Sequence, residues 1–368
     1  MLYCGSYLER TPVTVSRRLL PVSVLALVAG IGVTCVPSAD AASAPDGGAI
    51  ARYAEGLADS PQNLGPAVTP DLPTPFRPGA YQVFSVGSVY WSAGTGAWDV
   101  RGAIRDDWAH LGYENSALGF PTSREGNIAN TGSTVLQVFQ GGLVYYDPAV
   151  GAHEVRGAIL QEYAALGYER SRIGLPVTDE LAAPDRVGRF EVFQRGSIYW
   201  SPLTGAHEIE GDIRTKWGSI GYEQSLLGYP TTDEVDVPGG RQSGFLLGSI
   251  TWKPSTGALV TGFFAPVSSV DRRRSVFTVQ LLQQSFPYDS NDTFLRLPLA
   301  SGSTGQLPEP IPLTKAQFTD ALGVDTFVIA QGWSPDPKAH ATFEILDIAS
   351  VPKTPQARAA LVQALRTR

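Results

Sequence analysis

Sulfur is nearly absent from this sequence: its 368 residues hold two cysteines and one methionine. Both cysteines, Cys4 and Cys35, lie before residue 36, so the remainder can form no disulfide, no thiolate nucleophile and no Cys-based metal site. Lysine is scarce as well, with five (Lys216, Lys253, Lys315, Lys338, Lys353) among 28 basic residues. A net charge of −7 excludes a dominant electrostatic grip on nucleic acid or anionic lipid. Charged residues make up only 17% and apolar ones 43%, which excludes a disordered chain and allows a sizeable core. What the chain has in excess is Gly (39) and Pro (28), the composition of a fold broken by many tight turns.

Arg17 and Arg18 precede an uncharged stretch, Leu19 to Val36, which is followed by Ala39-Asp40-Ala41. This is the order of a secretory signal cut after Ala41. A retained membrane anchor is the alternative for an uncharged run of this length. Pro21, Gly30 and Gly32 interrupt it, which favours cleavage. Ser16-Arg17-Arg18-Leu19-Leu20 loosely matches a twin-arginine signal, and Gly32-Val33-Thr34-Cys35 is a poor lipobox. The stretch before Arg17 is long for a leader, and a start near Val15 would shorten it. Residues 1–41 are thus expected to be removed, with no stable membrane insertion afterwards.

The middle of the chain repeats. Leu64-Gly65-Pro66, Leu118-Gly119-Phe120-Pro121, Ile173-Gly174-Leu175-Pro176 and Leu227-Gly228-Tyr229-Pro230 recur at a spacing of 54 or 55 residues. Seventeen residues before each motif glycine stands another glycine (Gly48, Gly102, Gly157, Gly211), followed two residues on by an isoleucine (Ile50, Ile104, Ile159, Ile213). Between these landmarks the pattern is helical: Ile159, Leu160, Tyr163 and Leu166 share one face. After each motif come strands such as Gln82-Val83-Phe84 and Gly87-Ser88-Val89-Tyr90-Trp91, then a Gly-Ala turn such as Thr95-Gly96-Ala97. The expected fold class is therefore α+β. About four modules of short helix, Gly-Pro turn and small antiparallel hairpin sheet pack as a ring or stack over residues 42–262. Residues 263–368 read as a small α+β domain with strands at Val276–Gln283, Phe294–Leu297, Phe327–Ala330 and Thr342–Ile348. A Thr314-to-Gln317 capping box opens one of its helices, and a second runs from Thr354 to Arg366.

Gly119, Pro121, Gly174, Pro176, Gly228 and Pro230 read as structural, the glycines for positive φ or close approach and the prolines to fix a turn. The adjacent rings Tyr90-Trp91, Tyr145-Tyr146 and Tyr199-Trp200 sit on strands, where alternation sends one to each face. One ring of each pair is expected in the core, and its neighbour exposed or at a module interface. Exposed rings would stack on the apolar faces of sugars, and six of seven tryptophans lie in the repeats. Tyr113-Glu114, Tyr168-Glu169 and Tyr222-Glu223, with Ser116, Ser171 and Ser225 nearby, add carboxylates and hydroxyls beside each motif. Glu125, Glu180 and Glu234 stand four residues past each motif proline. All of these suit sugar hydroxyls or turn capping. His153-Glu154 and His207-Glu208 recur a repeat apart and predict no metal site.

The Leu118-Gly119-Phe120-Pro121 motif, with Gly-Ser-x-Tyr-Trp and Thr-Gly-Ala at fixed offsets, resembles the LGFP repeat of actinobacterial envelope proteins. In that family the repeats accompany exported wall enzymes and hold them on wall polysaccharide. The resemblance implies an exported protein, secreted or envelope-associated, that recognises arabinogalactan or peptidoglycan-linked polysaccharide through several weak sites acting together. Leu64-Gly65-Pro66-Ala67 departs from the tetrapeptide, which weakens the first copy's claim to a ligand. No catalytic domain usual for the family is present; His340 is the last segment's lone histidine, and Gly302-Ser303-Thr304-Gly305 lacks the nucleophile-elbow spacing. Asp289, Asp292, Asp325 and Asp336 keep open the alternative of a wall hydrolase with its site in residues 263–368. A scaffold binding a protein partner is a third reading. No cofactor is expected.

Overall fold

The computed structural model describes residues 46–129, 132–279, 282, 284–297, 309–324, 326–335, 340–346, 354, 357, 360 and 361. The leader, Asp325 and Asp336 lie outside the described residues, as does most of the helix expected from Thr354. Each repeat begins with a helix: α1 (Ala49–Glu55), α2 (Gly102–Leu111), α3 (Gly157–Leu166) and α4 (Gly211–Ser219). Gly112 and Gly167 end α2 and α3 in the left-handed region, the usual helix stop. A one-turn helix follows in three copies (Tyr113–Asn115, Tyr168–Arg170, Tyr222–Gln224), and then the Leu/Ile-Gly motif.

Behind each motif lies an antiparallel sheet with one strand more than the three expected. The first three sheets run Leu72–Pro73, Ala80–Val83, Ser88–Ser92, Gly96–Val100; Gly126–Asn127, Val135–Val138, Gly142–Asp147, Gly151–Arg156; and Leu181–Ala182, Arg189–Val192, Gly196–Ser201, Gly205–Glu210. The extra first strand is only two residues long, too short for a hydrophobic alternation to show.

The fourth sheet (Val235–Val237, Gly240–Phe245, Gly248–Lys253, Gly257–Pro266) does not stop at residue 262. Its last strand runs on to Pro266 and pairs with Phe327–Gln331, so that Thr342–Leu346, Thr293–Leu297 and Ile311–Leu313 extend the same sheet to eight strands. A separate three-stranded sheet comprises Ser269–Asp271, Val276–Val279 and Gln284–Pro287. The capping box forms as its residues demand, with Thr314 and Gln317 bonding each other's backbone at the start of α5 (Lys315–Ala321).

Each of α2 to α4 lies between two consecutive sheets. Ile104 and Trp108 of α2 share a core with Tyr90 of the first sheet and Val144 and Tyr146 of the second. In α3, Ile159 and Tyr163 do the same with Tyr145 and with Ile198 and Trp200, and Ile213 and Trp217 of α4 with Tyr199 and with Ile250 and Trp252. Both faces of the three strands carrying the ring pairs are therefore covered, and this governs what those rings can do.

Candidate functional site

The paired rings serve cohesion between modules. Tyr90, Tyr145 and Tyr199 are 5%, 2% and 4% exposed, each against the helix of the following repeat. Ring centroids of Tyr90 and Trp108 are 4.6 Å apart at 77°, those of Tyr199 and Trp217 4.7 Å apart at 76°. Such edge-to-face pairs add about 0.5–1.5 kcal/mol each beyond area burial. Tyr90 and Tyr199 also stack on Tyr81 and Phe190 of the adjacent strand, at 5.4 and 5.1 Å. Trp91, Tyr146 and Trp200 are half-buried on the opposite face, packed against their own module's helix. As sugar-stacking candidates Tyr90, Tyr145 and Tyr199 are thus corrected: a ring enclosed between strand and helix has no free face.

The Tyr-Glu pairs also turn inward. Tyr113, Tyr168 and Tyr222 sit at φ of 53°, 57° and 52°, the left-handed region that residues with a Cβ avoid. The turn lays each ring on the helix just completed, at 5.4 Å from Trp108, 5.8 Å from Tyr163 and 5.3 Å from Trp217. Tyr168 is the most open of the three, at 40%. Glu114 and Glu223 are buried, and the Tyr145 hydroxyl donates to Glu169 at 3.3 Å. Positive φ at tyrosine leaves no compositional trace, which is why the sequence did not show it.

The motif residues form the turn itself. Gly119, Gly174 and Gly228 take φ of 67°, 77° and 68°, and a Cβ on either of the first two would meet the amide oxygen of Gln140 or Gln194 at 2.5 Å. Pro121, Pro176 and Pro230 bridge to Phe139, Phe193 and Phe245. At the fourth motif this turn borders a cleft of about 500 Å³ between the third sheet and the fourth repeat. Val187 and Leu203, both 59% exposed, stand on one side, and Leu226, Tyr229 and Leu246 on the other. Asp185, Glu223 and Ser225 supply its polar groups, and the Tyr229 hydroxyl donates to Asp185 at 2.8 Å. Burial, then the Asp185 carboxylate, hold the Tyr229 hydroxyl above its ordinary pKa, and burial raises Glu223 as well.

A recurring network of charges joins each hairpin to the next motif. Buried Asp99 and Glu154 occupy one position of the last strand, and Arg101 and Arg156 bond them from two residues on, at 2.8 and 2.9 Å. Arg156 also reaches Glu180 at 2.7 Å. His153 and His207 bond Asp179 and Asp233 at 3.0 and 3.1 Å and so do not converge on a common ligand. The Asp179 bond raises His153; at His207 burial is the largest influence and would lower the pKa, but the bond and charge of Asp233, the Thr204 carbonyl and the Glu162 charge together raise it. In the third repeat Glu210 replaces the arginine, and Glu208, Glu210 and Glu234 each bring an oxygen within 4.8 Å of the other two. Burial, and next the Glu210 charge, push the Glu208 carboxyl up to about 7. Glu208 and Glu234 recur in the repeat pattern, whereas Glu210 shows in the sequence only as an acid where two sibling repeats carry arginine.

In the last segment, Asp292 accepts from the backbone of Asp289 at 2.8 Å and of Ala341 at 2.9 Å, and Asp289 accepts from Asn291 at 2.6 Å. Both carboxylates close a local turn, and Asp292 also ties it to the segment at Ala341.

Among the described residues no helix is long and apolar enough to cross a membrane. Four successive helix-and-sheet units joined by shared ring contacts define a tandem-repeat protein. The LGFP repeat family is matched at residues 64–116, 118–171, 173–225 and 227–262, together more than half of the sequence, and the chain belongs to that family. No curated protein matches it. Among solved structures, the extracellular domain of a hybrid two-component system from B. thetaiotaomicron is similar at 9% identity and a TM-score of 0.14. That likeness covers 74% of this chain, which spans 43% of the length of that protein, and carries no argument about fold or function.

Proposed function

We propose that this is an exported, non-catalytic envelope protein whose repeats bind wall polysaccharide, arabinogalactan or a peptidoglycan-linked glycan, along the motif turns. The single observation that carries the reading is the cleft beside the fourth motif. Leu203, Val187 and Tyr229 offer apolar surface for the C–H faces of a sugar, and Asp185, Glu223 and Ser225 offer acceptors and a hydroxyl for its OH groups. The contact surface is thus built from exposed aliphatic side chains and turn carboxylates, with the buried rings holding it in place.

The modules are read as an open stack. Where the first three sheets present Tyr81/Tyr90, Leu136/Tyr145 and Phe190/Tyr199 to a following helix, the fourth presents Gln242 and Thr251, bonded at 2.7 Å. A polar pair in place of the rings that seat a following repeat helix suits the last unit of a stack.

The test is co-sedimentation of the chain lacking residues 1–41 with purified wall polysaccharide. The expected result is saturable binding that falls at least about tenfold in Leu203→Asp, a loss of about 1.4 kcal/mol, with unchanged thermal unfolding. Failure to bind any of several wall preparations overturns the reading.

A further inference from the structure

We propose that Glu208, Glu210 and Glu234 form a divalent-cation site selective for Ca²⁺ over Mg²⁺, present in the third repeat and not in its siblings. At the corresponding positions of the first two hairpins an acid is followed two residues on by arginine: Asp99 with Arg101, Glu154 with Arg156. There the cation is covalently part of the strand. In the third hairpin Glu210 holds that place, so the strand contributes two carboxylates and the segment after the fourth motif a third.

Two guanidinium groups approach. Arg172 reaches Glu210 at 3.2 Å from a half-exposed position, and Arg241 binds Glu234 and, at 3.0 Å, Asp236. Neither forms an ion pair with Glu208. Glu208 is 1% exposed; one oxygen accepts the Glu234 backbone N–H at 3.3 Å, and Oε1 is buried without a hydrogen-bond partner. A buried carboxylate oxygen in that position is a strong acceptor with nothing to accept from.

The donor set selects the ion. Calcium takes about six to eight oxygens in a flexible geometry, whereas magnesium dehydrates reluctantly, keeps several waters and is usually held by one or two carboxylates. Three carboxylates whose oxygens all lie within 4.8 Å of one another suit the more flexible ion. An all-carboxylate donor set, with no sulfur or imidazole, also favours a hard cation over zinc or copper.

The experiment titrates CaCl₂ and, separately, MgCl₂ into the EDTA-treated chain lacking residues 1–41, by calorimetry and thermal unfolding. The expected result is one Ca²⁺ bound per chain, with Kd of about 0.1–1 mM as in extracellular modules, a rise in Tm, and at least about tenfold weaker Mg²⁺ binding. Glu210→Arg, which restores the sibling pattern, abolishes Ca²⁺ binding while unfolding in EDTA at or above the wild-type temperature. Glu208→Gln weakens binding at least about tenfold and guards against a folding defect in the first variant. No Ca²⁺ binding up to about 10 mM, or an unchanged response in Glu210→Arg, overturns the proposal.

Discussion

The ring of Tyr229 lies on the backbone of Gly188, so closely that a Cβ there would stand 2.4 Å from the hydroxyl. Phe120 lies on Gly79 in the same way, with a Cβ 2.6 Å from the ring. Between them in the series, the second sheet carries Thr134 at the corresponding place, and the third motif carries the smaller Leu175. Large ring with glycine and small side chain with threonine are two solutions to one packing problem, repeated along a single chain.

A double-mutant cycle tests that pairing. Gly188→Thr is expected to destabilise by about 1–3 kcal/mol through overpacking, and Tyr229→Leu by a similar amount through lost contacts. Together they bring in the Thr134–Leu175 residue pair; a Cβ at Gly188 would still meet the Trp200 carbonyl oxygen at 2.5 Å, so only the ring's share of the clash is relieved, and the double variant should be more stable than the sum of the singles by about 0.5–1 kcal/mol. Urea denaturation of the four proteins checks this; simple additivity contradicts it.

Glu191 predicts a pH dependence. It is fully buried, neither carboxyl oxygen has a hydrogen-bond partner, and Glu154, Glu180 and Asp179 face it, with Arg156 the opposing charge. Burial first, then those carboxylates, hold its pKa well above the ordinary value. A folded-state pKa raised above the unfolded one means the stabilisation is complete below the unfolded value and is lost as pH rises from there through the folded value. The matching residue of the second repeat is Gln137, whose amide donates to the Asp99 and Ser123 carbonyls at 2.8 and 2.9 Å. Glu191→Gln should therefore stabilise by about 1–3 kcal/mol at pH 7, and by much less at pH 4. Urea midpoints at the two pH values measure the difference.

The tyrosines at positive φ predict an inverted order of substitution. At most sites glycine destabilises more than alanine. At Tyr222, φ 52°, both remove the same ring contacts, but glycine also relieves the left-handed strain. Tyr222→Gly should thus be more stable than Tyr222→Ala by about 1 kcal/mol, read from chemical denaturation.

The period, the helix preceding each motif and the hairpin following it were legible because a repeat shows itself several times over. The capping box at Thr314 and Gln317 was legible because its chemistry is local. The fate of the ring pairs was only half legible. Alternation separates Tyr90 from Trp91, but it says nothing of a helix from the next repeat closing over the Tyr90 face. The continuation of Gly257–Pro266 into a sheet with Phe327–Gln331 joins residues more than sixty positions apart, and no local pattern encodes that pairing. The cleft leaves no mark in the sequence because Leu203 sits in a turn and Tyr229 within the repeat motif, and only the fold sets them facing the same space.

Hydroxyl-radical footprinting of the chain with and without bound wall polysaccharide is the most direct measurement. The account predicts protection concentrated on Val187, Leu203 and Leu226, with Tyr90, Tyr145 and Tyr199 unreactive in both states. Ligand-dependent protection confined to Trp91, Tyr146 and Trp200, with the cleft residues unchanged, would contradict it.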